Sequence, residues 1–171
     1  MNTTANKITF ARIVMIPSFL ILAYTDHTFW ALAVYILACV SDFADGYIAR
    51  HYDQTSNFGK FMDPLADKML VLSAMCYFID AGQMPGWCVA IVIFREFAVS
   101  GLRLLAAEQR RIIAAAPAGK IKTASTMVGL GAMLLFRRSG LINFLATAVI
   151  LITTIVSGVQ YFLVNRDVFH E

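Results

Sequence analysis

Apolar residues arrive in blocks along this chain, separated by short polar joints, and each block is close to the length a helix needs to cross the hydrocarbon core of a bilayer. Six blocks can be drawn, over 8–24, 29–50, 58–79, 87–107, 123–136 and 141–164. The joints read TDHT, HYDQTSN, DAGQMPG, EQRRIIAAAPAGKIK and RRSG, and their Gly, Pro, Asn and Asp suit helix ends and turns. None of the blocks alternates as a barrel strand would, whereas helices satisfy their own backbone hydrogen bonds in lipid. The pattern predicts an all-α fold: an integral membrane bundle of six transmembrane helices, with 1–171 forming one domain.

Composition strengthens that reading. The chain is 59% hydrophobic and 15% charged, with a mean hydropathy of +0.69. Soluble domains carry nearer a quarter charged residues, and so few charges leave too little polar surface to cover a globule of this size. The basic start and apolar run at the N-terminus lack a small-x-small cleavage pattern, so the segment is expected to be retained as the first helix. Net charge is only +3 and the basic residues are scattered, which argues against a nucleic-acid partner. Cys39, Cys76 and Cys88 sit singly in apolar runs and suggest packing rather than a disulfide or zinc site.

Lys and Arg in the joints set the expected orientation. With six spans, Lys7, Arg12, Arg50, Lys60, Arg110, Arg111, Lys120, Lys122 and Arg166 fall on one side, against Arg137 and Arg138 on the other. Both termini, and the joint between the second and third spans, are therefore expected to be cytoplasmic. Trp30, Trp87 and Tyr161 fall near span ends and read as interfacial anchors.

Four carboxylates sit where lipid would make them costly. Asp42, Asp45, Gly46 and Ala49 share one helical face at the end of the second span, and Gly59, Asp63 and Asp67 share another at the start of the third. A charge in the bilayer is unfavourable, and four ionised carboxylates together would also repel one another. Two divalent cations resolve both difficulties, and oxygen ligands without His or Cys suit Mg²⁺ or Mn²⁺. Paired ions of this kind serve phosphoryl chemistry, and the small residues leave room for a phosphate-bearing ligand. The competing reading is that the aspartates cap helices or pair with Arg50, Lys60 and Lys68, with the small residues serving helix packing.

The stretch reads D-x2-D-G-x2-A-R-x8-G-x3-D-x3-D, through Asp42, Asp45, Gly46, Ala49, Arg50, Gly59, Asp63 and Asp67. It resembles the signature of the CDP-alcohol phosphatidyltransferases, with every position filled. The resemblance implies a six-helix membrane enzyme that cleaves a CDP-linked lipid or alcohol, releases CMP and joins the phosphoryl group to an acceptor hydroxyl. ITFARIVMIPSF, MDPLADK, FREFAVSGLR, AGKIKTAST and TTIVSGVQYF are similar to the branch that joins CDP-diacylglycerol to sn-glycerol 3-phosphate, in bacterial-type phospholipid synthesis at the inner membrane. A homodimer is also implied.

By the same resemblance, Asp42, Asp45 and Asp63 would hold metal ions, and Asp67 would be a further ligand or the base that activates the acceptor hydroxyl. Gly46, Ala49 and Gly59 would let the CDP-diacylglycerol nucleotide pack closely. Arg50 would contact a phosphate, or snorkel as an anchor. An anionic acceptor calls for cations, and the candidates are Arg95, Arg103, Lys120 and Lys122. Arg103 follows Arg95 by two helical turns, so the two share a face, while an internal ion pair is the alternative for Arg95. Arg110 and Arg111 read as attracted to anionic headgroups. AGKIKT fails the P-loop pattern, and His27, His51 and His170 are isolated. Inositol phosphate, serine or phosphatidylglycerol as acceptor, or a divalent-cation transporter using the same aspartates, are the rival functions.

Overall fold

The computed structural model describes residues 4–51, 57–109 and 117–169, with side chains placed at 10–41, 65, 66, 68–109 and 117–168. Six long helices follow one another: α1 Thr4–Tyr24, α2 Thr28–His51, α3 Asn57–Asp80, α4 Gly86–Glu108, α5 Pro117–Leu135 and α6 Gly140–Val164. A short 3-10 turn, Arg166–Phe169, follows α6, and no strand occurs among the described residues. The all-α expectation and the order of helices hold. Two starts move: α1 begins at Thr4 rather than 8, and α5 begins at Pro117, so Lys120 and Lys122 lie in its first turns rather than before it. Proline suits the first helical position because its fixed φ is already helical and its missing N–H would have had no partner there.

Helix ends follow local chemistry. After α3, Gly82 adopts φ +68°, its N–H bonds the Ile79 carbonyl at 2.9 Å, and the Gln83 N–H bonds that of Phe78 at 2.9 Å. This paired closure needs a left-handed residue, which glycine provides without a Cβ penalty. Nothing would crowd a Cβ at Gly82, so Gly82→Ala tests the backbone alone. Thermal unfolding in detergent should show a loss of about 1–2 kcal/mol.

In the turn after α1 Asp26 takes the left-handed conformation at φ +62°, and the His27 N–H reaches the Leu22 carbonyl at 3.0 Å. Here a side chain is needed. Arg137, from the α5–α6 turn, donates to the Asp26 carboxylate at 2.5 Å, and its guanidinium stacks 5.8 Å from the Tyr77 ring. Gln83 donates to the Arg137 carbonyl at 2.9 Å, and Tyr24 hydrogen-bonds Asp80. The three turns at this end are therefore tied together. Arg137, which runs against the expected charge bias, has a structural partner there.

α1 packs along α2 and also against α3, α5 packs along α6, and α6 packs against α4. Buried stripes at helical spacing make these contacts: Ile16, Phe19 and Ala23 on α1, Ala31, Tyr35 and Ala38 on α2, and Ala66, Leu70 and Ala74 on α3. The same α1 stripe includes Arg12, which is fully buried. Arg12 is therefore an interior residue of α1.

α6 reverses the polarity of a soluble helix. It buries Asn143, Thr147, Thr154 and Ser157 and turns Phe144, Ile152, Val156 and Leu163 outward, each more than half exposed. Small polar residues inside and large apolar ones outside are what a surrounding hydrocarbon favours. Among the described residues α6 is the one helix both long and apolar enough to cross a membrane, and Phe10–Tyr24 and Thr28–Ser41 form shorter apolar stretches.

Candidate active site

α2 continues without a break through 42–49 and α3 through 59–67. The spacings D-x2-D and D-x3-D are therefore helical, and each pair falls on one face. On α2 the buried stripe 31, 35, 38 leads at the same spacing to positions 42, 45 and 49; on α3 the stripe 66, 70, 74 leads back to 63 and 59. The side chains of Asp42, Asp45, Gly46, Ala49, Arg50, Gly59, Asp63 and Asp67 lie outside the described residues, as do Arg110 and Arg111. Over the described residues α2 and α3 touch only briefly, and α1 packs against both.

One residue beyond Asp67, Lys68 enters the wall of a cavity. The cavity has a volume of about 260 Å³; Lys68 from α3, Glu96 and Arg103 from α4, and Lys122 and Thr126 from α5 line its polar side, and Val71, Leu72, Val92 and Met127 its apolar side. The backbones of α4 and α5 stay apart along nearly all their described length; charged side chains bridge the gap. Glu96 Oε1 accepts from Lys122 Nζ at 2.6 Å and from Arg95 Nη1 at 3.0 Å. Its Oε2 lies 3.9 Å from Lys68 Nζ, which itself donates to Ser100 Oγ at 2.7 Å. Arg103 donates from Nε to the Tyr161 hydroxyl at 2.9 Å, with its guanidinium 5.4 Å from that ring. Among the described residues that line the cavity, three cations face one carboxylate, an arrangement suited to a phosphate.

Two of the four expected acceptor cations, Arg103 and Lys122, thus come together in one cavity. Arg95 and Arg103 do share a face and both meet α6. Arg95, however, serves the internal ion pair with Glu96 and lies against Gly158, where a Cβ would come within 3.2 Å of its Cγ. Lys120 is exposed and does not line the cavity. Tyr161 is buried beneath Arg103, not at an interface as expected, because its hydroxyl has an internal donor to accept from. Trp30 and Trp87 are exposed. Lys68 is the residue that reading by spacing passed over as a mere counter-ion. Its signal was its place directly after the motif.

Comparison with known proteins decides what this arrangement belongs to. A family model described as CDP-alcohol phosphatidyltransferase matches residues 2–160. The chain belongs to the CDP-alcohol phosphatidyltransferase family. Among curated members, it is similar to the CDP-diacylglycerol–glycerol-3-phosphate 3-phosphatidyltransferase of Bacillus subtilis strain 168, at 39% identity over 95% of this chain and 94% of that protein. A probable phosphatidylglycerophosphate synthase of Mycobacterium tuberculosis is 35% identical over 92% of this chain and 78% of its own. The Rickettsia typhi CDP-diacylglycerol–glycerol-3-phosphate 3-phosphatidyltransferase is 32% identical over 99% and 100%. Within this CDP-alcohol phosphatidyltransferase, both the aspartate stretch and the cationic cavity fall inside the matched residues.

Proposed function

We propose that this protein transfers the phosphatidyl group of CDP-diacylglycerol to sn-glycerol 3-phosphate, giving phosphatidylglycerophosphate and CMP. The observation that carries the reading is the cavity of Lys68, Arg103 and Lys122 one residue past the motif, in a chain whose relatives bear that activity in their names. A hydroxyl acceptor without a phosphate, such as serine, would leave the excess positive charge unused.

In this reading the cavity binds the acceptor phosphate and holds the other end of the molecule toward α3. Asp67 accepts the hydroxyl proton as the oxygen forms its bond to the lipid-bearing phosphorus. The bond from that phosphorus to CMP breaks, and CMP leaves with the bonding pair. Asp42, Asp45 and Asp63 would hold two divalent cations, Mg²⁺ or Mn²⁺, with Asp67 a further ligand where it is not the base. Four carboxylates on two unbroken helical faces form an all-oxygen donor set that fits such ions. Bound there, the cations supply Lewis acidity to the diphosphate. Gly46, Ala49, Arg50 and Gly59 complete the CDP-diacylglycerol site.

The inverted polarity of α6 and the apolar outer surface support a multi-pass protein of a bacterial-type inner membrane. The charge bias of the joints supports cytoplasmic termini and a cytoplasmic active site. A single domain and a homodimer belong to the same reading and rest on the sequence resemblance. The test is CMP release by purified protein from CDP-diacylglycerol. Release should require both glycerol 3-phosphate and Mg²⁺ or Mn²⁺ and should stop on chelation. Release with inositol phosphate or serine in place of glycerol 3-phosphate would change the acceptor, and no release from folded protein would end the enzyme reading.

A further inference from the structure

A carboxylate in a pocket built for a phosphate is a contradiction that needs a reason, because Glu96 repels the ligand its neighbours attract. The bracing of the three cations supplies one. Lys68 is held by Ser100 at 2.7 Å, and Arg103 by the Tyr161 hydroxyl at 2.9 Å. Lys122 is held by Glu96, at 2.6 Å. Glu96 Oε2 also lies 3.9 Å from Lys68 Nζ, but among the three cations it is Lys122 whose nearest described partner is the carboxylate. That difference follows from the fold. α4 and α5 do not pack backbone to backbone here, so Lys122 must reach across the cavity, with its side chain only 6% exposed. A neutral partner would leave a nearly buried ammonium without a counter-charge.

We infer that Glu96 is a positioning residue of the acceptor pocket: it fixes Lys122 Nζ across the gap between α4 and α5, so that the ammonium is ordered before the acceptor phosphate arrives. Lysine has among the largest side-chain entropies to lose on ordering. Ordering it beforehand removes that cost from binding. Glu96 also receives Arg95 Nη1 at 3.0 Å, which steadies the carboxylate and partly offsets its repulsion of the phosphate. The inference rests on the acceptor reading above and adds the residue that makes the pocket rigid.

The test uses the full-length enzyme in detergent with Glu96→Gln and Glu96→Asp. KM for glycerol 3-phosphate should rise about tenfold in the Gln variant, the range of one charge-assisted hydrogen bond. KM for CDP-diacylglycerol should stay within about twofold. Glu96→Asp keeps the charge one methylene short, and its rise should be intermediate. A second arm uses inorganic phosphate alone, which should raise the Tm of the parent enzyme and not that of Glu96→Gln. An unchanged acceptor KM in both variants overturns the inference. So does a rise in both substrates' KM together, the signature of general damage. Should the parent enzyme ignore glycerol 3-phosphate and use another acceptor, the function reading fails. The phosphate arm then still decides on Glu96, and an equal Tm shift in parent and variant overturns it.

Discussion

Asp67→Asn is expected to lower the turnover of CMP release about a thousandfold while leaving the protein folded. General acid–base groups contribute about 10²–10⁴ in rate, and an amide of the same shape can neither take the hydroxyl proton nor lend a full negative charge. Stability should hold or rise, because removing one of four neighbouring carboxylates relieves their mutual repulsion. The helix through 59–67 is continuous, and Asn at an interior helical position costs only a fraction of a kcal/mol, roughly 0.7 at most. Two roles are open to Asp67, and turnover against Mn²⁺ concentration separates them. A base variant loses turnover at every metal concentration, whereas a ligand variant recovers part of it as Mn²⁺ rises. Activity within about tenfold of the parent would remove Asp67 from both roles.

Asp67 could be chosen from the sequence because its information is local. A helix carries i, i+3 and i+4 positions on one face whatever surrounds it, so D-x2-D and D-x3-D announced their geometry before any helix was seen. The six helices and their order were legible for the same reason, since runs of about twenty apolar residues leave few other options. What could not be read was which side chains cross between helices. Lys122 and Glu96 are 26 positions apart and Lys68 and Ser100 are 32 apart. No local period links such residues. Tyr161 misled because span-end aromatics are commonly interfacial, and only packing of α6 on α4 brings Arg103 over its ring. Arg12, counted only for its charge, likewise occupies the buried stripe of α1. In both cases the face of the helix decided the residue's surroundings.

Lys122→Met is expected to raise KM for glycerol 3-phosphate about thirtyfold, the middle of the range for a hydrogen bond to a charged group. It should also lower stability. Removing one partner of a buried ion pair costs about 3–5 kcal/mol when the other is stranded. Glu96 retains Arg95 and is 19% exposed, so a loss of about 2 kcal/mol is the better expectation here. Adding Glu96→Gln to Lys122→Met removes the stranded charge, and the double variant should regain most of the lost Tm. Neighbours that share an ion pair are not additive, and this recovery measures their coupling. KM should behave differently, staying high in the double variant because the ammonium that met the phosphate is still missing. Recovery of Tm without recovery of KM separates the two jobs of Lys122, neutralising Glu96 and binding the acceptor. If KM also returned to the parent value, Lys122 would serve only as a counter-ion, and the acceptor phosphate would belong to Lys68 and Arg103 alone.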